Sequence, residues 1–236
     1  MSIHGDEAGE EVVLRGAAGA PTLLPRRDVD GRLAGAGRSA GSARRMSVPH
    51  VATAAGTGWM TAMSITPDTK DWTWVLERPC PECGFEAAAH DVSDLPGLLE
   101  ATASSWSQVL GRGDATDRPR PGVWSALEYG CHVRDVHVLF AERVRLMLAE
   151  DVPTFANWDQ DVTAVERDYG SQDPAAVAAE LVEAARSVAM LYASVTDATR
   201  GRRGLRSNGD EFTVETLGRY HLHDVVHHLH DVAAPA

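Results

Sequence analysis

Between residues 123 and 149 the apolar side chains Tyr129, Val133, Val136, Phe140, Val144 and Met147 recur at intervals of three or four. That spacing draws one hydrophobic stripe along a long helix, and such a stripe must be buried against other helices. Three further segments read the same way. One covers 95–110, started by Ser93 or Asp94 with Pro96 in its first turn and stopped by Gly111 and Gly113. Another covers 174–195, with Asp173 as N-cap and Pro174 at the first helical position. The last covers 214–232, with Thr213 as N-cap. A loop through Phe155 and Trp158 leads to a short helix at 161–169, and Ser207-Asn208-Gly209-Asp210 forms a turn. With few strand signals, the chain is expected to be all-α, a four-helix bundle over residues 93–234. Ahead of it, 63–92 reads as an extended aromatic segment with a Cys80-Pro81-Glu82-Cys83-Gly84 turn. Residues 1–62, rich in Gly and Ala without periodicity, read as a disordered leader or an over-extended start.

Charge narrows the function classes. The chain holds 34 acidic against 22 basic residues, a net −12, and the acidic excess lies wholly beyond residue 62. Such a surface repels nucleic acid and anionic membrane, so neither is an expected partner. No apolar run reaches the length of a membrane span. Arg44-Arg45 has a faint twin-arginine look, but 51–59 is too small and polar to be an apolar signal core. Three cysteines without a signal segment imply a reducing, cytoplasmic setting. The common hydrolase, NTPase and dinucleotide motifs are absent.

Chemistry concentrates at the end of the chain. Five of the ten histidines fall in the run from His221 to His230. His223 and His227, four residues apart, project from one helix face one turn apart, as two ligands of one divalent ion require. At about 100° per residue, His230 joins their arc, at the edge of a stripe made by Leu222, Val226 and Leu229. His221 and His228 fall on the far side, where they are expected to touch water. A third imidazole is available in His132, which shares its helix face with Val136 and Leu139. A lone histidine there would be a hydrogen-bonded core residue; beside a His-x3-His pair it becomes a candidate ligand. Three nitrogens would leave a fourth position open for water or substrate. Glu128 and Asp135 read either as surface acids or as carboxylates that orient imidazoles.

The run Trp124-Ser125-Ala126-Leu127-Glu128-Tyr129-Gly130-Cys131-His132-Val133-Arg134-Asp135, followed by His223-x3-His227, resembles the DinB family of metal-binding four-helix bundles over residues 90–234. Trp72-x-Trp74, Cys80-Pro81-Glu82-Cys83-Gly84 and the Asn157-Trp158-Asp159-Gln160-Asp161 loop resemble an actinobacterial branch of it. The resemblance implies His132, His223 and His227 as metal ligands, with His230 near the ion in an open role. It implies a divalent cofactor, zinc first, with nickel or iron as alternatives. Because several members use a low-molecular-weight thiol such as mycothiol, it further implies a thiol S-transferase acting on an electrophilic small molecule. Its partners would then be that substrate and the thiol, in a monomer or homodimer. The alternatives are a hydrolase using metal-bound water, with Glu128 as first candidate for its base, and a non-enzymatic metal-binding stress protein.

Two features lie beside this reading. Cys80-x2-Cys83 is half of a zinc-ribbon pattern; a reduced structural turn, a redox pair and a Cys2His2 site using His90 are all compatible with it. Arg200, Arg202, Arg203 and Arg206 form the one basic patch of an acidic domain, either solvated or steering a substrate. Asp159, Asp161 and Arg206 are the candidates for positioning that substrate.

Overall fold

Four helices carry the structure, and their starts follow from local chemistry. The computed structural model describes residue 65 and residues 70–233; the leader assigned to 1–62 lies outside them. Helix α1 (Leu95–Leu110) has Pro96 in its first turn. Helix α2 (Ala126–Ala149) begins later than 123 because Ser125 and Glu128 form a reciprocal cap, in which the Glu128 N–H donates to Ser125 Oγ and the Ser125 N–H to Glu128 Oε2. Helix α3 (Gln160–Glu166) is short and capped by Asp159. Helix α4 (Pro174–Ala193) starts with Asp173 as cap and Pro174 behind it. Helix α5 (Val214–Ala233) starts on a Thr213–Thr216 pair, each hydroxyl accepting the other residue's backbone N–H.

The bundle's neighbours run α1, α4, α2, α5 and back to α1, so α1 and α2, consecutive among the long helices, sit diagonally. Val133, Val136, Phe140, Val144 and Met147 of α2 are buried with Leu99, Trp106, Leu181, Val188, Leu217 and Val225. Gly218 sets how closely α5 approaches: a Cβ there would stand 2.3 Å from Leu95 Cδ1 and 2.9 Å from Tyr192 Cε1. Among the described residues no helix is long and apolar enough to cross a membrane.

A three-stranded sheet adds to the all-helical expectation. Strand β1 (Thr154–Phe155) pairs in parallel with β2 (Arg203–Arg206), which pairs antiparallel with β3 (Glu211–Thr213) through the 207–210 turn. These strands are too short to show alternation; Phe155, Gly204 and Phe212 alone turn inward. Ahead of α1, the segment read as extended contains two 3-10 turns, Thr73–Leu76 and Ala87–Ala89. It lies against α5, held by Arg200 between Asp91 (2.7 Å) and Glu215 (2.6 Å) and by Arg219 donating to the His90 carbonyl (2.8 Å).

His221 is fully buried, which corrects its expected contact with water. Its Nε2 lies 3.0 Å from His137 Nδ1, and its ring stacks on Phe140. Burial lowers His137 to about 4, against a weaker opposing field from Asp224. The unfolded chain therefore binds the proton more readily than the folded one. This contribution to stability is complete above pH ~6.5 and is lost as pH falls toward ~4, on the order of 3 kcal/mol. Chemical denaturation from pH 7 to 4.5 should show that loss reduced in His137→Leu; identical pH slopes in the two proteins would contradict it.

Candidate metal centre

Helix α5 is covered from two directions, and this divides its histidines. The bundle covers the face carrying Leu217, His221, Leu222 and Val225. The 70–92 segment covers the face carrying His223 and His227: Trp72 lies 5.5 Å and 4.8 Å from their rings, and Phe85 lies 5.4 Å from His223. Asp224 and His228 look toward α2. The described residues thus contain two groups with metal-ligand character, one of His132, Asp224 and His228, the other of Cys80, Cys83, His223 and His227.

In the first group His132 is fully buried, clamped between Trp158 (stacked, 5.3 Å) and Trp124 (5.5 Å). Its Nε2 is 3.2 Å from Asp224 Oδ1, and its buried Nδ1 has no hydrogen-bond partner among the described residues. His228 donates from Nδ1 to Asp231 (2.9 Å), which turns Nε2 toward Asp224 at 3.8 Å. Burial lowers His132 below the usual imidazole range, against the opposing pull of Asp224. Burial alone would raise Asp224, but its hydrogen bond to His132 and the fields of His132, His228 and His221 prevail and hold it well below the usual carboxylate range. A neutral His132 beside an ionised Asp224 requires no deprotonation of either residue before accepting a cation.

Asp224, His228, His223 and His227 all open onto one cleft of about 960 Å³. Its walls carry Trp72, Trp124 and Trp158 among polar groups that include Asp71, Glu82, Asn157, Asp159, Asp161 and Arg206. The cleft-side loop is fixed by Arg143 donating to the Ala156 carbonyl (3.0 Å) and Trp158 Nε1 donating to Thr163 Oγ1 (2.8 Å).

The structure therefore separates His132 from His223 and His227, placing them in different groups. His228, expected in water, is half-buried against Tyr129 and His132. His230 is exposed rather than at an inward edge. Glu128 is spent on the α2 cap and on Arg118. Asp135 is spent on Tyr169, Arg134 and Arg167. Neither carboxylate is bonded to His132. His90 stacks on Phe85 and lies outside both groups. In the arginine patch, Arg200, Arg202 and Arg203 are engaged by Glu215, the Met147 carbonyl and Glu211. Arg206, paired with Asp210, is the member of that patch that lines the cleft. Asp224 and His228 went unrecognised in the sequence although they repeat the i, i+4 spacing of His223 and His227 one residue later.

The model of the DinB superfamily matches residues 98–232, and the chain belongs to that superfamily. Among solved structures it resembles YfiT from Bacillus subtilis, described as a probable metal-dependent hydrolase with an unusual four-helix bundle topology. That likeness has a TM-score of 0.52 and 19% identity, covering 72% of this chain and 92% of the other, and shows a shared fold. No curated protein matches the chain.

Because Glu128 belongs to the α2 cap, Glu128→Ala should lower stability by about 1–2 kcal/mol and leave metal affinity unchanged. Loss of metal at unchanged stability would contradict this placement.

Proposed function

We propose that the protein is a divalent-metal-dependent enzyme that transfers a low-molecular-weight thiol, of the hydroxyl-rich mycothiol type, to an electrophilic small molecule. The observation that carries this reading is the grouping of His132, Asp224 and His228, with Asp224 and His228 opening onto a cleft large enough for two small reactants. Two imidazoles and a carboxylate suit zinc or iron and leave coordination positions open. When bound, such an ion supplies Lewis acidity and lowers the pKa of a coordinated thiol or water.

The chain's own residues would do the rest. Asp231 accepts from His228 Nδ1 and holds that ring with its Nε2 toward Asp224. Trp124 and Trp158 exclude water from His132. The aromatic faces and the Asn157, Asp159, Asp161 and Arg206 side chains offer stacking and hydrogen bonds to a polar, ring-containing thiol. Hydrolysis is the second reading, supported by the carboxylates of Asp159 and Asp161, which line the cleft where a base for water could act.

The test is consumption of an electrophilic probe by the zinc-, nickel- or iron-loaded full chain, with and without a low-molecular-weight thiol. Thiol transfer predicts turnover that requires the thiol and falls on the order of 100-fold or more in Asp224→Asn, since even an orienting neighbour is worth 10–100-fold. Turnover at equal rates without thiol would replace this reading with hydrolysis. The absence of turnover with every metal would overturn both.

A further inference from the structure

The second group of donors has no part in the proposed reaction, and its Cys80 lies at the edge of the hydrophobic core with Cys83 packed against it. Cys80-x2-Cys83 and His223-x3-His227 have the paired spacings of a four-ligand Cys2His2 zinc site, with the two halves far apart in the chain. The fold closes that gap. One ligand atom from each of the four residues lies within 4.8 Å of the others. Cys80 Sγ is 3.7 Å from His227 Nδ1, although they are 147 residues apart in sequence. Sulfur and nitrogen bound to one tetrahedral zinc stand about 3.6 Å apart, given Zn–S and Zn–N bonds of about 2.3 and 2.0–2.1 Å.

We propose that Cys80, Cys83, His223 and His227 form a structural zinc site that staples the 70–92 segment to α5. Cys80, His223 and His227 are buried, and Cys83 is partly so. His223 Nε2 is buried without a hydrogen-bond partner among the described residues, a lone pair or proton left unused in a costly position. The cysteine turn already has the shape of a metal knuckle. The Cys80 N–H donates to the Phe85 carbonyl and the Gly84 N–H to the Cys80 carbonyl, both at 2.8 Å. Gly84 supplies the left-handed φ of +74° that the turn requires. On the far side of His227, Nε2 faces Glu82 (3.6 Å) and Asp231 (3.8 Å), the carboxylate setting that orients a ligating imidazole.

Two thiolates and two neutral imidazoles neutralise one Zn²⁺ and fill its four positions, so this site is closed and holds structure rather than substrate. Binding releases the two thiol protons to solvent. The site stands whether or not the transfer reaction does. Its effect on the cleft is to fix the wall that carries Asp71, Trp72 and Glu82. Cys131, buried on α2 with its sulfur toward the Tyr169 carbonyl and Gln172, lies outside the group and serves as an internal control.

The test uses the reduced full chain. Zinc should be released in step with modification of two thiols by a mercurial, and zinc should protect Cys80 and Cys83 from alkylation. Cobalt substitution should give the thiolate-to-cobalt charge-transfer band, lost in Cys83→Ser and in His227→Gln but retained in Asp224→Asn. Circular dichroism identifies any variant that fails to fold, and the wild-type protection experiment then decides alone. The proposal is overturned if Cys80 and Cys83 react equally with and without zinc, or if they are recovered as a disulfide in the presence of zinc and reductant. It is equally overturned if the band vanishes in folded Asp224→Asn, which would mean one shared site.

Discussion

Coverage of α5 from two sides is the constraint on which the rest depends. A helix turns about 100° per residue, so neighbours in sequence cannot share a face. Had the bundle alone covered α5, its histidine run would have one buried edge and one wet one. Because the 70–92 segment lies over a second face, His223 and Asp224 look into different environments, and so do His227 and His228. One helix thereby contributes to two donor groups.

Burying imidazoles has an electrostatic cost that explains their company. Desolvation lowers His221 and His223 below the ordinary imidazole value, the latter to about 4. Each buried ring must then be neutral and still satisfy two nitrogens. His137 and His221 do so partly through one another. His137, His132 and His223 each retain a buried nitrogen without a partner among the described residues, and of these His132 and His223 are candidate ligands. Those two residues belong to the two donor groups, where a cation would use what the protein leaves over.

Much of the architecture was legible because its signals are local. The α2 stripe, Asp173 with Pro174, and Thr213 are each read within a few residues, and the bundle realises them. The sheet was not legible, since two- to four-residue strands around Phe155 and Phe212 carry no period. Sorting the histidines failed for a different reason: helical geometry gives relative angles and is silent on which arc a distant segment will cover. The same limit kept Cys80-x2-Cys83 apart from His223-x3-His227 and left His90 as the nearer candidate. Glu128 was misread because a carboxylate three residues after a serine is also half of a capping box.

The claim that one helix serves two separate groups is tested most directly by anomalous diffraction at the zinc edge on crystals of the zinc-loaded full chain. The account predicts two peaks, one among Cys80, Cys83, His223 and His227 and one among His132, Asp224 and His228. A single peak bound jointly by His132, His223 and His227 would contradict it.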